Sequence, residues 1–289
     1  MTIPLKDRRR AGRARARPKK SLGQNFLVDR RVLGRIIEAA ELSSDDVVVE
    51  VGPGRGFLTS ALAERAGRVV AVEVDRDLAE GLRERFAERS NVTVVTADAR
   101  EVAIDSLAAR EAPYKVVANL PYYAASPIIR RFLEARRRPR LMVVMVQREV
   151  AEEMVAQPGN MGLVSVATQL YGKPRTVASV PPRAFRPAPK VTSAVVRIDV
   201  YPQPALPLDS EERFFRLVRA GFSARRKQLH NSLRRGLDIS PEATGVMLAR
   251  AGIDPARRAQ TLSLAEWGEL YKESRLAVQD VPPPDETEV

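Results

Sequence analysis

Five short, nearly continuous apolar runs set the architecture of this chain. They are Val47-Val48-Val49-Glu50-Val51, Val69-Val70-Ala71-Val72-Glu73-Val74, Val92-Thr93-Val94-Val95, Tyr114-Lys115-Val116-Val117-Ala118 and Leu141-Met142-Val143-Val144-Met145-Val146. Between them stand apolar residues at helical spacing, such as Leu58 and Leu62, then Leu78, Leu82 and Phe86. A strand that is apolar on both sides must be covered on both sides. Strands alternating with helices therefore predict a parallel sheet, and right-handed crossovers make it an open, doubly wound α/β layer. A further helix is expected after Asp29, built on Val32, Leu33, Ile36, Ile37 and Ala40.

The pattern changes after residue 150. Glu152 to Gln157 reads as a helix, and Leu163 to Leu170 is a mixed apolar stretch. Val177 to Val180 and Val191 to Val200 read as strands around a Pro-rich loop, which suits an antiparallel pair closing the sheet edge. Pro202, Pro204 and Pro207 form a stiff linker. Everything beyond is helical. Phe214, Val218 and Phe222 share a stripe, Ser240-Pro241 opens a helix that Gly252 follows, and Ser263 to Glu266 is a capping box before Trp267. The expected division is a disordered basic arm (1–20), an α/β domain (21–201), a helical domain (208–275) and a disordered acidic tail (276–289).

Composition narrows the chemistry. The 289 residues include no Cys and one His, His230. Disulfides, thiolate nucleophiles, Cys-based zinc sites and multi-His metal centres are excluded, so no metal is expected. No run approaches 18 apolar residues and none near the start resembles a signal peptide, so a soluble, cytoplasmic protein with no membrane contact is expected. The net charge is +12. Residues 1–20 hold nine Lys and Arg against Asp7, residues 276–289 hold four acids and no base, and the body between is basic. That balance suits a polyanion partner. Candidate contacts are Arg130, Arg131, Arg136, Arg137, Arg138 and Arg140, then Arg225, Arg226 and Lys227. Solvated faces of Arg-rich helices would look the same. His230, beside the second cluster, reads as an ordinary surface or half-buried residue.

In an open parallel sheet, ligands bind beyond the carboxyl ends of the strands. Four segments fall there. Gly52-Pro53-Gly54-Arg55-Gly56 lets the backbone approach a ligand and turn into a helix. Its Gly-x-Gly-x-Gly spacing differs from the dinucleotide fingerprint, and alone it also fits a plain strand–helix turn. Glu73 ends the second strand, where a carboxylate can accept both hydroxyls of a ribose. With the glycine turn it signals an adenosine-containing ligand. Asp98 follows the third strand, where it can accept from an adenine amine or merely cap a turn. Asn119-Leu120-Pro121-Tyr122 follows the fourth. There the Asn119 side-chain carbonyl and the Leu120 backbone carbonyl can accept the hydrogens of an exocyclic amine. That would localise the amine's lone pair, while Tyr122 stacks on the ring.

With these residues the chain resembles the ribosomal RNA adenine dimethyltransferases, in particular the bacterial small-subunit type. The resemblance rests on Gln24-Asn25-Phe26-Leu27, Glu50 to Gly56 with Leu58-Thr59, Glu73, Asp98, Asn119 to Tyr122, Val180 to Val191 and Phe222 to Leu229. It spans roughly 19–275, and the combination is far more specific than any one piece. It implies a Rossmann-like S-adenosylmethionine-dependent methyltransferase fold with a small C-terminal all-helical domain. It also implies S-adenosylmethionine held by Asn25, Leu27, Gly52, Glu73, Asp98 and Asn119. Phe185 would form a second aromatic wall facing Tyr122, although without the resemblance an aromatic in this Pro-rich loop is as easily a packing anchor. The implied activity is dimethylation of two adjacent adenines in a hairpin loop of small-subunit rRNA, during assembly of that subunit, by a monomer. Arg136, Arg137, Arg138, Arg225, Arg226 and Lys227 would then contact RNA. Competing readings are a large-subunit rRNA methylase of the antibiotic-resistance type, a DNA adenine methylase, and a non-catalytic assembly factor on the same fold. A nicotinamide dehydrogenase has the wrong glycine spacing.

Overall fold

The computed structural model describes residues 19, 23–107 and 113–279, with side chains as far as 275. Apart from Lys19 and the end of the last helix, the expected basic arm and acidic tail lie outside the described residues. A two-residue strand, β1 (Phe26–Leu27), comes first. The five apolar runs then form β2 (Val47–Val51), β3 (Arg68–Glu73), β4 (Val92–Thr96), β5 (Tyr114–Asn119) and β6 (Leu141–Gln147). Three more strands follow: β7 (Gly172–Val180), β8 (Phe185–Arg186) and β9 (Ser193–Val200).

The main sheet has the order β4-β3-β2-β5-β6-β9-β7. Its first five strands pair in parallel, and β9 lies antiparallel between β6 and β7, the edge pair expected from sequence. Alternate residues of one strand enter opposite layers. Val49 and Val51 join one apolar cluster, while Val48 joins the other. Helices α1 (Arg30–Ala40) and α2 (Phe57–Ala63) cover the second side through Ile36 and Leu62. Asp29 caps α1 by accepting from the backbone N–H of Arg31 and Val32. Helix α3 (Arg76–Arg85) follows β3, and α4 (Ala125–Glu134) buries Ile128, Phe132 and Leu133 in the first cluster.

Helix α5 (Arg148–Met154) starts directly at the end of β6, earlier than the sequence suggests, and α6 (Leu163–Tyr171) leads into β7. Beyond the prolines come α7 (Glu211–Phe222), α8 (Leu229–Leu237), α9 (Pro241–Arg250) and α10 (Leu264–Gln279). The capping box is present: Glu266 Oε2 accepts from Ser263 N at 2.7 Å, and Ser263 Oγ from Glu266 N at 3.2 Å. The backbone of α10 runs four residues past the expected end at 275. Helix α8 has no counterpart in the sequence reading.

The C-terminal helices share the core of the sheet. Phe214, Phe215, Leu217 and Trp267 are buried in the same cluster as Val49 and Val116. Tyr171 lies 6.4 Å from Phe215, and Phe214 meets Phe215 and Tyr271 edge-on at 5.4 and 5.7 Å. Arg138 ties the two parts together. It donates to the Leu133 carbonyl at 2.7 Å and to Glu211 at 3.2 Å, and lies 4.8 Å from the centroid of Tyr171. Tyr171 donates its hydroxyl to the same Glu211 at 2.5 Å.

Candidate active site

Strand β2 is flanked by β3 on one side and by β5 on the other, so the order of the chain reverses there. A crevice must open at the carboxyl ends of such a pair. A cleft of about 870 Å³ lies at this place.

The glycine turn forms one wall. Gly52 and Gly54 have φ of 70° and 55°, which L side chains rarely adopt. Close approach adds a second demand. A Cβ on Gly52 would lie 3.4 Å from the Asn119 carbonyl oxygen, and one on Gly54 would lie 2.8 Å from the Phe26 ring. Phe26 thus lies on the turn, and the Arg55 guanidinium stacks on its ring at 4.6 Å.

Glu73, Glu50 and Asp98 are among the acids that border the cleft. Glu73 ends β3 and is held from both sides, with Oε2 accepting from Gly54 N and Oε1 from Asp75 N, each at 3.0 Å. Burial pushes its carboxyl up, and the backbone donors pull it back in part. Glu50, in β2, is 1% exposed. Among the described residues, its Oε2 and the Thr59 Oγ1 have no hydrogen-bond partner. Burial pushes the Glu50 carboxyl up to about 8, and the Glu73 charge adds to it. Glu50 is therefore largely neutral at pH 7. Asp98 differs. Arg100 donates Nε and Nη2 to its Oδ2 at 3.0 and 2.6 Å, which holds the carboxyl below the usual range.

The segment after β5 forms the wall next to the glycine turn, with Gly52 against the Asn119 carbonyl. Asn119 donates Nδ2 to the Asn25 carbonyl at 3.1 Å. That bond orients the amide, so its Oδ1 is the group offered to the cleft. Leu120 N donates to the Met145 carbonyl at 3.2 Å, and the Pro121 carbonyl accepts from Ala124 N at 3.0 Å. The backbone is therefore fixed on both sides of the proline. Tyr122 is half-buried, and its hydroxyl shares a 2.6 Å hydrogen bond with Ser193 of β9.

A strap before α1 covers the cleft. Gln24 Nε2 donates to Asp75 at 2.9 Å, and Lys19 Nζ reaches Asp75 and Asp77 at 2.8 Å. Further along, Val28 N donates to the Ala184 carbonyl at 2.9 Å, and β1 pairs with β8. Burial raises the Asp75 carboxyl, but the Lys19 and Gln24 bonds outweigh this and leave it below its usual range.

Asn25, Leu27, Gly52, Glu73, Asp98, Asn119, Leu120, Pro121 and Tyr122 all line this one cleft. Phe185 does not. It lies in β8 opposite Leu27, 1% exposed, within the apolar layer that includes Val180, Ala184 and Val195. A ring buried this way packs beside Leu27 in the apolar layer and presents no face to a base. Burying a whole Phe side chain is worth about 1.5–3 kcal/mol, which explains its preference for the core.

The basic candidates separate too. Arg136 is exposed, as are Arg225, Arg226 and Lys227, although Arg225 lies 3.6 Å from Glu153. Arg138 is taken up by its structural contacts, so the expectation of an RNA contact there is corrected. Arg137 is half-buried. Arg131 donates to the carbonyls of Arg100 and Val102, and Arg140 pairs with Asp46 at 2.5 Å. His230 is half-buried with Nε2 3.0 Å from the Pro241 carbonyl. Sequence reasoning missed the Asp75 strap, the Phe26–Arg55 stack, and Tyr123 with Arg100 at the rim of the cleft. Gln24, Phe26 and Arg55 carried a signal, since they stand inside the Gln24 to Leu27 and Gly52 to Gly56 stretches.

The arrangement fits an adenosine-bearing cofactor. Glycines make room for close backbone approach, Glu73 keeps free lone pairs at the end of a strand, and Glu50 and Thr59 leave two buried polar atoms unpartnered among the described residues. Glu73 would hold a ribose and Asp98 an adenine amine. Among the described residues, no group of three or more His, Cys, Asp or Glu is placed to hold a metal ion. Among them also, no helix is long and apolar enough to cross a membrane.

Comparison with known proteins gives the family of the chain. Residues 15–275 match the family described as ribosomal RNA adenine dimethylase. The chain belongs to the ribosomal RNA adenine dimethylase family. A relative named ribosomal RNA small subunit methyltransferase A, from Dehalococcoides mccartyi, is 49% identical over 252 residues, 87% of this chain and 86% of its own. Another of that name, from Pelotomaculum thermopropionicum, is 47% identical over 88% of this chain and 90% of its own. Among solved structures, the 23S rRNA methyltransferase ErmE is 31% identical, with a TM-score of 0.68 over 86% of this chain and 99% of its own. A dimethyladenosine transferase from Plasmodium falciparum shares the fold, with 24% identity and a TM-score of 0.75 over 88% of this chain and 98% of its own. The dimethylase family match thus covers the α/β layer and the C-terminal helices together.

Proposed function

We propose that this chain transfers methyl groups from S-adenosylmethionine to the exocyclic amines of two adjacent adenines in a hairpin loop of small-subunit rRNA, two to each. The observation that carries this reading is the oriented Asn119 amide, set beside the glycine turn in the same cleft. The names of the relatives in Dehalococcoides mccartyi and Pelotomaculum thermopropionicum support the small subunit as the source of the RNA.

The amine of adenine is a poor nucleophile because its lone pair is delocalised into the ring. Asn119 Oδ1 and the Leu120 carbonyl would accept its two hydrogens and favour a pyramidal nitrogen. Tyr122, anchored through Ser193, would stack on the ring and keep the amine in the plane of those acceptors. Bound in the cleft, S-adenosylmethionine supplies an electrophilic methyl on a sulfonium. The chain's share of catalysis is then chiefly alignment and the exclusion of water. Alkylation makes the nitrogen cationic and strongly acidic, so its proton can leave to water. His230, the chain's one histidine, does not line the cleft. A target base must leave its stack, which a hairpin loop makes easier.

The test supplies donor with a labelled methyl to immature small and large subunits separately. Label should appear in dimethylated adenines of the small subunit. Asn119→Ala should slow transfer about a hundredfold, the scale seen when one polar group aligned with a transition state is removed. Glu73→Ala should weaken donor binding in calorimetry about tenfold, with RNA affinity kept. Label confined to the large subunit would favour the ErmE-like reading. Transfer by Asn119→Ala at the parent rate would refute the clamp.

A further inference from the structure

Tyr123 stands next to the proposed clamp and has no part in it. Its ring is 52% exposed and lines the same cleft as Asn119 and Tyr122. One exposed aromatic means little by itself. Its surroundings decide the matter. The backbone at Gly23 runs along one edge of the ring, where an added Cβ would lie 3.5 Å from Cδ1. The Arg100 guanidinium lies 5.7 Å from the ring centroid. Asp98 holds that guanidinium in place through Nε and Nη2. Among the described residues, Arg100 Nη1 has no hydrogen-bond partner, and the side chain is 47% exposed. An aromatic face and an oriented planar cation thus stand together at the mouth of the cleft.

We infer that Tyr123 and Arg100 form a stacking subsite for the RNA nucleobase adjoining the target adenine, with Arg100 Nη1 meeting the phosphate between the two nucleotides. This rests on the reading of the cleft as an adenine site in RNA. Turning one base out of a loop leaves its neighbour without a stacking partner. A tyrosine ring offers that neighbour a replacement whatever its identity, because every base has a π-face. Arginine suits the adjoining phosphate through its fork of N–H donors. Gly23 and Asp98 fix the two groups before RNA arrives, so little order has to be gained on binding. The subsite selects for single-stranded RNA and not for sequence.

The experiment uses the full chain and a hairpin RNA carrying 2-aminopurine on either side of the target adenine. Parent and Tyr123→Trp should quench the probe on one side, and Tyr123→Ala should not. Tyr123→Ala should raise KM for the RNA about tenfold, with kcat and calorimetric donor affinity close to the parent's, and Tyr123→Trp should restore KM. Unchanged quenching and KM in Tyr123→Ala, with methyl transfer intact in the parent, would overturn the subsite alone. Equal loss of donor affinity would show that Tyr123 only shapes the cleft, and would overturn it as well. A parent that methylates no adenine would remove the functional reading and the subsite with it.

Discussion

Glu50 is held in an environment that suits only its neutral form. It is fully enclosed at the base of the glycine turn, one carboxyl oxygen lacks a partner among the described residues, and Glu73 lies close enough to repel its charge. The folded chain therefore binds a proton at Glu50 that the unfolded chain releases near the ordinary value of 4.5. Stability from this group is present below about pH 4.5 and is lost as pH rises toward about 8. Glu50→Gln keeps the shape and removes the titration. Its stability relative to the parent should rise between pH 5 and 8, by up to about 1.4 kcal/mol per pH unit, in denaturant titrations. Parallel pH profiles for the two proteins would show that the Glu50 proton is not linked to folding. Asp98, on the same cleft, is the opposite case, because Arg100 keeps it ionised as an acceptor.

At the scale of elements, the strap around β1 matters most for the site. Its hold on the cleft is polar. Gln24 and Lys19 meet Asp75, and the Asn25 carbonyl meets Asn119. Asp75 also caps α3 by accepting from Asp77 N at 3.1 Å, so changing Asp75 would disturb two elements at once. Gln24→Ala isolates the strap. One partly buried hydrogen bond is worth about 0.5–1.5 kcal/mol, so donor affinity should fall roughly two- to tenfold in calorimetry while the melting temperature stays near the parent's. An unaltered affinity would mean that the strap closes without Gln24.

The whole molecule is one packed body in which the C-terminal helices complete the core begun by the sheet. The aromatic group of Tyr171, Phe214 and Phe215 spans the junction, and Arg138 with Glu211 fastens its rim. Trp267, the single tryptophan, is buried in α10 and reports on the helices alone. Far-ultraviolet circular dichroism reports on all the elements together. With a shared core, the two signals should change together in one transition. Arg138→Ala should shift both by the same amount, on a loss of about 1–2 kcal/mol. A Trp267 transition well separated from the dichroism transition would show that the helices melt on their own.

Much of this was legible in the sequence. The β2, β3, β5 and β6 runs are too continuously apolar for anything except a doubly covered sheet, while the β4 run, at the sheet edge, stays partly exposed, and local capping at Asp29, Ser240 and Ser263 announced the helices that follow. Strand ends in such a sheet lead to one crevice, so the positions of Gly52, Glu73, Asp98 and Asn119 were readable before any coordinate. Other features arise from contacts between residues far apart in the chain. Phe185 looked like a free aromatic wall, but pairing of β8 with β1 buries it. Arg138 looked like one of several loose cations until α7 brought Glu211 against it. Arg100 and Tyr123 carried no pattern at all, and Asn119 gained its orientation from a carbonyl 94 residues away. Periodicity and turn chemistry are local and survive in the sequence. Which side chain is buried, paired or left facing a cleft depends on what the remote chain places beside it, and that only the folded molecule decides.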